Sequence, residues 1–182
     1  VLIWLLSTTT SRTSLQVKGG RLPNALFPGS FPISEFGVSE LQILSWNGRG
    51  VCMADSVSRS SMGCHVRRVS KLAHILCLQE VHGLEGDIVH QMSVWLPGWR
   101  CFASHSLNED GSANPNAGGC CTLICPGVCA LASFEHLDIV PGRCIGTSIL
   151  TGDKSFSVCP VHNYGLSLRD IKTIKNFLVT LS

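Results

Sequence analysis

The sequence predicts an α/β domain in which helices pack on a sheet, and three observations support this fold class. Hydrophobic residues make up 45% of the 182 residues and charged residues only 14%, which is typical of a chain with a buried core. Short apolar runs typical of buried strands are followed by segments with helical periodicity. The order strand, helix, strand, helix, several strands and a last helix is that of a layered α/β domain.

The first segment of the chain is rich in Ser, Thr, Pro and Gly and shows no sustained periodicity. We therefore predict a poorly ordered leader over residues 1–38 and a folded domain over residues 39–182. The apolar run Val1–Leu6 is too short for a membrane span or a signal-peptide core, so we expect no membrane attachment. Because the chain starts at Val1 and not at Met, we expect it to be a fragment.

The elements of the first half follow from apolar runs and helical spacing. Leu41–Trp46 is a β-prone run, and a glycine-containing turn follows it. Residues 61–73 have apolar side chains on one helical face and basic ones on the other. Ile75–Leu78 is a second buried strand. The next helix has apolar residues at helical spacing over residues 88–96 and ends at a Pro-Gly pair.

The second half is predicted to be mostly strands, followed by a terminal helix. The predicted strands are residues 99–104, 119–125, 128–134, 144–150 and 156–161, with a loop at 107–118 and a hairpin turn at 151–154. Pro160 cannot donate to a ladder, so its strand must lie at an edge or be ending. Ser167 and Asp170 have capping-box spacing and begin a helix whose apolar stripe must bury against a partner.

Net charge and cysteine spacing give little information about a site. The net charge of +2 says almost nothing about nucleic-acid binding, because an electrostatic footprint needs a strongly basic face. No pair among the ten cysteines has the C-x-x-C spacing of zinc sites. Cys121, Cys125 and Cys129 repeat every four residues, but cysteines in an apolar run are better explained as buried core residues. Their use in such strands indicates a reducing, intracellular compartment, with the nucleus as one option.

Two polar side chains follow successive predicted strands. Asn47 ends the first strand, where its amide can accept from a metal-bound water and donate to a phosphate oxygen. Glu80 directly follows the second strand, where α/β proteins place ligands, and a carboxylate suits Mg²⁺. Taken alone, Asn47 can be explained as a turn residue before glycine, and Glu80 as a solvated acid that opens a loop.

Together these motifs resemble the endonuclease/exonuclease/phosphatase superfamily. The resemblance lies in Ile43–Gly50, Leu76–His82, Gly98–Arg100, Ala117–Ile124 and Val161–Tyr164, and it is closest to the apurinic-type endonuclease domains of non-LTR retrotransposons. It implies a DNase-I-like fold, a two-sheet α/β sandwich. It covers about residues 41–182, so we expect the first sheet and its helices to be present and the second sheet to be largely missing.

The resemblance also implies roles for individual residues. Glu80 would be the main Mg²⁺ ligand, with Mn²⁺ as an alternative ion, and Asn47 would help to hold the metal-bound phosphate. His162 falls where family members carry a Tyr or His that contacts the scissile phosphate, although its register against Asn163 is uncertain by one residue. The implied activity is phosphodiester hydrolysis with DNA as partner; the oligomeric state is open. His82 and Arg143 are weaker candidates, and a surface loop or a solvated turn explains them better.

Part of the family's chemistry is missing from the sequence. The Gly-Asp-x-Asn stretch that orients the water and the Ser-Asp-His stretch that supplies the general base do not occur. We therefore expect the chain to be poorly stable and inactive as a nuclease, and whether it is an enzyme stays open. The alternatives are a non-catalytic remnant of a retroelement polyprotein, a phosphoinositide phosphatase, a sphingomyelinase-like or RNA-directed enzyme of the same superfamily, and an unrelated α/β domain.

Overall fold

The computed structural model describes residues 2–7, 15–16, 29–31, 41–52, 56–151 and 154–180. Within these ranges the strands are β1 (Leu2–Ser7), β2 (Leu15–Gln16), β3 (Gly29–Phe31), β4 (Leu41–Asn47), β5 (Ile75–Gln79), β6 (Arg100–Ser104), β7 (Ser106–Leu107), β8 (Ala113–Asn114), β9 (Cys120–Ile124), β10 (Ser133–Val140), β11 (Cys144–Thr151) and β12 (Lys154–Val161). The helices are α1 (Ser56–Ser70), α2 (Glu85–Trp95), α3 (Pro126–Cys129) and α4 (Leu168–Thr180).

The strands form two five-stranded sheets and a two-stranded hairpin of β7 and β8. The front sheet has the order β3-β4-β5-β9-β6, and the back sheet has the order β10-β11-β12-β1-β2. In the front sheet β4 and β5 are parallel and the other pairs are antiparallel. The expectation that the second sheet is largely missing is therefore wrong for the described residues. The meander β10–β12 pairs with itself and with β1, so it builds a sheet of its own and does not extend the front sheet.

Three buried clusters fix the order of the layers. One cluster packs α1 and α2 on the front sheet, with Val66 and Met92 against Leu76 and Leu78. A second cluster takes side chains from both sheets. A third packs α4 on the outer face of the back sheet through Ile174. The mixed α/β layering predicted from the sequence is confirmed, and alternate residues of β4 and β5 point into different clusters.

One predicted element is wrong. Residues 128–134 were expected to be a strand, but the chain forms the short helix α3 and begins β10 only at Ser133. Pro126 is the first residue of α3, a position where the fixed φ of proline favours a helix and its missing N–H is not needed. The other predicted elements lie within a few residues of the observed bounds, and the loop at 107–118 contains the small β7–β8 hairpin.

The segment predicted to be a poorly ordered leader contains three described strands. β1 pairs antiparallel with β12, β2 pairs with β1, and β3 pairs with β4. The division into residues 1–38 and 39–182 stays a prediction. Pro160 is the next-to-last residue of β12, in agreement with the expectation of an ending strand, although β12 has a neighbour on each side.

The capping box of α4 forms as the sequence predicted. Asp170 accepts from the Ser167 backbone N–H at 2.9 Å, and the Ser167 hydroxyl accepts from the Asp170 N–H at 3.1 Å. The apolar stripe is buried only in part, because Ile174 is 6% exposed whereas Leu168 is 86% exposed. Leu181, the last residue of the predicted stripe, lies outside the described residues.

The ten cysteines are all free, and most are buried. Burial raises the pKa of the Cys77 and Cys159 thiols to about 12, so both stay protonated at neutral pH. Of the cysteines interpreted as core residues, Cys121 is buried, whereas Cys125 and Cys129 are half-buried. Over the described ranges, no helix is both long and apolar enough to cross a membrane.

Candidate functional site

The parallel pairing of β4 and β5 brings the ends of both strands to the same edge of the front sheet. Asn47 lies opposite Gln79, so Glu80 starts the loop directly beside the Asn47 turn. The two loops stay in contact beyond the strands, since the Gly48 N–H donates to the Gln79 carbonyl at 2.6 Å and the Cys52 N–H to the Val81 carbonyl at 3.0 Å. Both candidates from the sequence are thus at one end of the molecule.

The Glu80 backbone has a left-handed conformation with φ of 51°. A non-glycine residue adopts this conformation at a cost, so the surrounding structure must hold it. The Val81 and His82 N–H groups donate to the carbonyls of Gly119 and Gly118, at 3.2 and 3.0 Å. The loop is therefore fixed on both sides, and this fixes where the Glu80 carboxylate points.

The Glu80 carboxylate contacts the His162 ring, which belongs to the other sheet. His162 Nε2 lies 3.1 Å from Glu80 Oε1. His162 directly follows β12, and its N–H donates to the Arg143 carbonyl at 2.8 Å. The His162 side chain is 7% exposed and that of Glu80 is 28% exposed. The structure thus joins two residues that the sequence analysis had singled out separately.

Arg143 completes a chain of three side chains. Its NH1 lies 2.8 Å from His162 Nδ1. A guanidinium can only donate, so Nδ1 accepts and the ring proton is on Nε2, facing Glu80. Burial lowers the pKa of His162, the Glu80 carboxylate acts in the opposite direction, and the Arg143 guanidinium adds to the lowering. His162 is therefore a neutral imidazole that accepts from Arg143 and donates to Glu80.

Asn47 is at the site edge, but its side-chain oxygen is used locally. Asn47 Oδ1 accepts from the Arg49 N–H at 3.0 Å and closes a tight turn. The turn explanation for this residue is thus correct, and it leaves the side-chain amide N–H₂ as the group that can serve a ligand. Asn163, the alternative to His162 in register, is exposed, whereas His162 is buried.

Arg143 differs from the sequence-based expectation in its burial and in its hydrogen bond. It was explained as a solvated turn residue, yet it is half-buried and bonded to His162. The signal that could have found it is the turn before β11, because a hairpin pairing of β11 with β12 places Arg143 beside the end of β12. His82 is half-buried in the Glu80 loop, and its ring nitrogen lies 2.9 Å from the position of a Cβ on Gly50.

The side chains at this edge of the front sheet can be compared with the ligands that zinc and Mg²⁺ take in proteins. Among the described residues, no three His, Cys, Asp or Glu side chains come together as a closed metal site, which argues against structural zinc there. Mg²⁺ often uses one or two protein carboxylates and completes its shell with water and phosphate oxygens. The partly exposed Glu80 carboxylate, oriented by His162, fits that second arrangement.

Comparisons with known proteins give a limited likeness. No protein-family model matches the chain, and no curated protein matches it. Among solved structures, the fold is similar to the endonuclease domain of TRAS1, a telomere-specific non-LTR retrotransposon, at 10% sequence identity and a TM-score of 0.47. The match covers 78% of this chain and 55% of that domain, so the chain spans about half of its length.

Proposed function

We propose that this chain carries the cation- and phosphate-binding corner of a metal-dependent phosphodiesterase of the endonuclease type, with DNA as the substrate class. The observation that carries the proposal is the contact between Glu80 and His162 at the carboxyl ends of β4 and β5. The two sheets and their helices would correspond to the two-sheet sandwich of DNase-I-like proteins. A carboxylate at this edge, oriented by a histidine, suits a hard cation, and the bound cation would in turn attract a phosphate.

Each residue of the corner would have a separate task. Glu80 would hold Mg²⁺ or Mn²⁺ through its partly exposed carboxylate. A bound cation neutralises charge on the phosphate and lowers the pKa of a bound water. His162 would orient the carboxylate, and the Asn47 amide N–H₂ would donate to a phosphate oxygen. The left-handed loop at Glu80 makes this orientation independent of the ligand.

A second candidate function is binding without turnover, and one observation favours it. Phosphodiester hydrolysis needs a group that takes a proton from the attacking water. Within the described part of this site, His162 uses both ring nitrogens and Glu80 is engaged by His162. The chain would then bind the cation and the phosphate without cleaving it.

The cation is tested by thermal unfolding of the 182-residue chain with Mg²⁺ or Mn²⁺. At 100 times the dissociation constant, binding to the folded state adds about 2.7 kcal/mol, which raises Tm by about 5–10 °C for a chain of this size. Glu80→Gln removes the charge with little change in shape, so its Tm should not respond. Glu109→Gln makes the same change at an exposed loop position and should respond like the wild type. An unchanged Tm in the wild type would contradict both candidate functions.

A plasmid assay separates the two candidates. Supercoiled plasmid is incubated with Mg²⁺ and the chain, and nicked circles are counted on a gel. Nicking that disappears in Glu80→Gln would establish the phosphodiesterase. A wild-type chain that shows the cation-dependent rise in Tm but does not nick DNA would establish binding without turnover.

A further inference from the structure

We infer that Arg143 is the group that contacts the substrate phosphate, and that His162 is a positioning residue which holds Arg143 and Glu80 in place. The inference rests on the proposed function and changes the role that the family resemblance implies for His162. It follows from how the hydrogen-bonding groups of these three side chains are used.

His162 has no free group for a substrate. Its Nδ1 accepts from Arg143 at 2.8 Å, and its Nε2 lies 3.1 Å from Glu80. The imidazole ring has only two nitrogens, so both already have a partner inside the protein. The residue is also 5% exposed. A phosphate could reach this ring only after one of the two contacts had broken.

Arg143, in contrast, has donors left over. The guanidinium carries five N–H donors in a planar fork, and the contact with His162 uses one of them. Among the described residues, no carboxylate lies within ion-pair distance of Arg143. A half-buried cation without an anionic partner is costly, and an incoming anion lowers that cost. The planar fork suits phosphate, which it can bind through two parallel hydrogen bonds.

Two glycines lie beside the Arg143 guanidinium. A Cβ on Gly118 would lie 3.4 Å from Arg143 Cζ, and a Cβ on Gly165 would lie 3.5 Å from Arg143 NH2. Both glycines have left-handed φ angles, of 60° and 73°. The Arg143 backbone is fixed as well, since its N–H donates to the Val140 carbonyl at 2.9 Å and its own carbonyl accepts from His162. The Arg143 backbone is therefore fixed, and a side chain at either glycine would contact the guanidinium.

The contact is tested by binding in EDTA, where no divalent cation takes part and nothing is cleaved. The probes are a fluorescein-labelled 20-base-pair DNA duplex, followed by anisotropy, and dimethyl phosphate, followed by NMR. Arg143→Ala should weaken duplex binding about tenfold, as expected for loss of a charged hydrogen bond. The slope of log affinity against log salt concentration should become shallower by about one, as expected for the loss of one phosphate contact. Arg143→Lys, which keeps the charge without the fork, should recover part of the loss.

The matched control is Arg68→Ala, which removes the same charge from an exposed position on α1. It should change the affinity about twofold or less, because a distant exposed charge is screened by salt. Thermal unfolding of each variant shows whether it is folded. An Arg143→Ala protein that binds both probes like the wild type, or like Arg68→Ala, would overturn the phosphate contact, as would a wild type that binds neither probe.

The positioning role has its own readout in the ¹⁵N spectrum of the His162 ring. The wild-type ring should show the proton on Nε2, and Arg143→Ala should shift it towards a mixture of both tautomers. A merely structural arginine would leave the tautomer unchanged, and a wild-type ring with the proton on Nδ1 would overturn the role. The cation-dependent rise in Tm, which depends on Glu80, should persist in Arg143→Lys, so failure of this inference is distinguishable from failure of the proposed function.

Discussion

At the scale of single residues, the candidate site joins side chains from two sheets, because Glu80 follows β5 and His162 follows β12. Asn47 and Glu80 were found because parallel strands end at one edge, a rule that needs only local patterns. The contact of Glu80 with His162 and the bond from Arg143 depend on how the two sheets meet. Arg143 therefore looked like a turn residue, since no local pattern reveals a partner that comes from another sheet. The catalytic and metal roles of Asn47, Glu80 and His162 stay predictions.

Replacement of Gly119 by Ala tests whether the Glu80 loop is fixed by its neighbours. Gly119 has φ of 79°, and a Cβ there would lie 3.1 Å from Val81 Cγ2 and 3.2 Å from the His82 nitrogen. We expect Gly119→Ala to lower the free energy of unfolding by about 1–3 kcal/mol and to displace Glu80, so that the cation-dependent rise in Tm becomes smaller. Urea unfolding and the cation titration measure the two effects.

Gly86→Ala is the control for that experiment. A Cβ on Gly86 meets nothing within 4 Å, and the residue lies in α2. Alanine is the better helix former, so this variant should gain about 0.5–1 kcal/mol. If Gly119→Ala were as stable as the wild type and kept the full cation response, then close packing at Gly119 would not be what holds the loop.

At the scale of elements, the residues that begin a helix predicted the structure better than apolar runs did. The capping box at Ser167 and Asp170 gave the start of α4 to within a residue, because two side chains three positions apart can satisfy each other's N–H groups. The apolar segment at 128–134 gave the wrong element, because a short apolar run fits either a strand or a buried helical turn. Pro126 was the missed signal there.

Removal of the cap on α4 measures what that signal contributes. In Ser167→Ala, the Asp170 N–H loses its acceptor at 3.1 Å and the Asp170 carboxylate loses the hydroxyl at 2.8 Å. We expect the free energy of unfolding to fall by about 1 kcal/mol, the usual value for an N-cap. Thr173→Ala removes a hydroxyl from an exposed site inside the same helix and should cost nothing. Equal losses in both variants, seen by urea unfolding, would mean that the box does not stabilise α4.

At the scale of the whole molecule, the layer between the two sheets changes character along its length. One end is apolar and includes Ile43, Ile75 and Ile149. Towards the site the buried side chains become polar, with Gln79 bonded to Ser45 at 2.8 Å. Neither the sheet order nor this gradient followed from the sequence, because β1 pairs with β12 and β5 with both β4 and β9 across long stretches of chain. Polar side chains therefore continue up to Glu80 and His162, and some of these polar side chains are buried.

Thr147, which is buried on β11, allows a measurement of how much stability is lost when a polar group is buried without a partner. Its Oγ1 has no hydrogen-bond partner among the described residues, whereas the hydroxyl of the next residue, Ser148, pairs with Ser157 at 2.8 Å. Thr147→Val keeps the shape and removes the unpaired hydroxyl, so the free energy of unfolding should rise by about 1 kcal/mol. Ser148→Ala leaves the Ser157 hydroxyl unpaired and should lower it by a similar amount. A loss of stability in Thr147→Val, measured by urea unfolding, would mean that a buried water satisfies Oγ1, and the polar layer would then be hydrated up to the site.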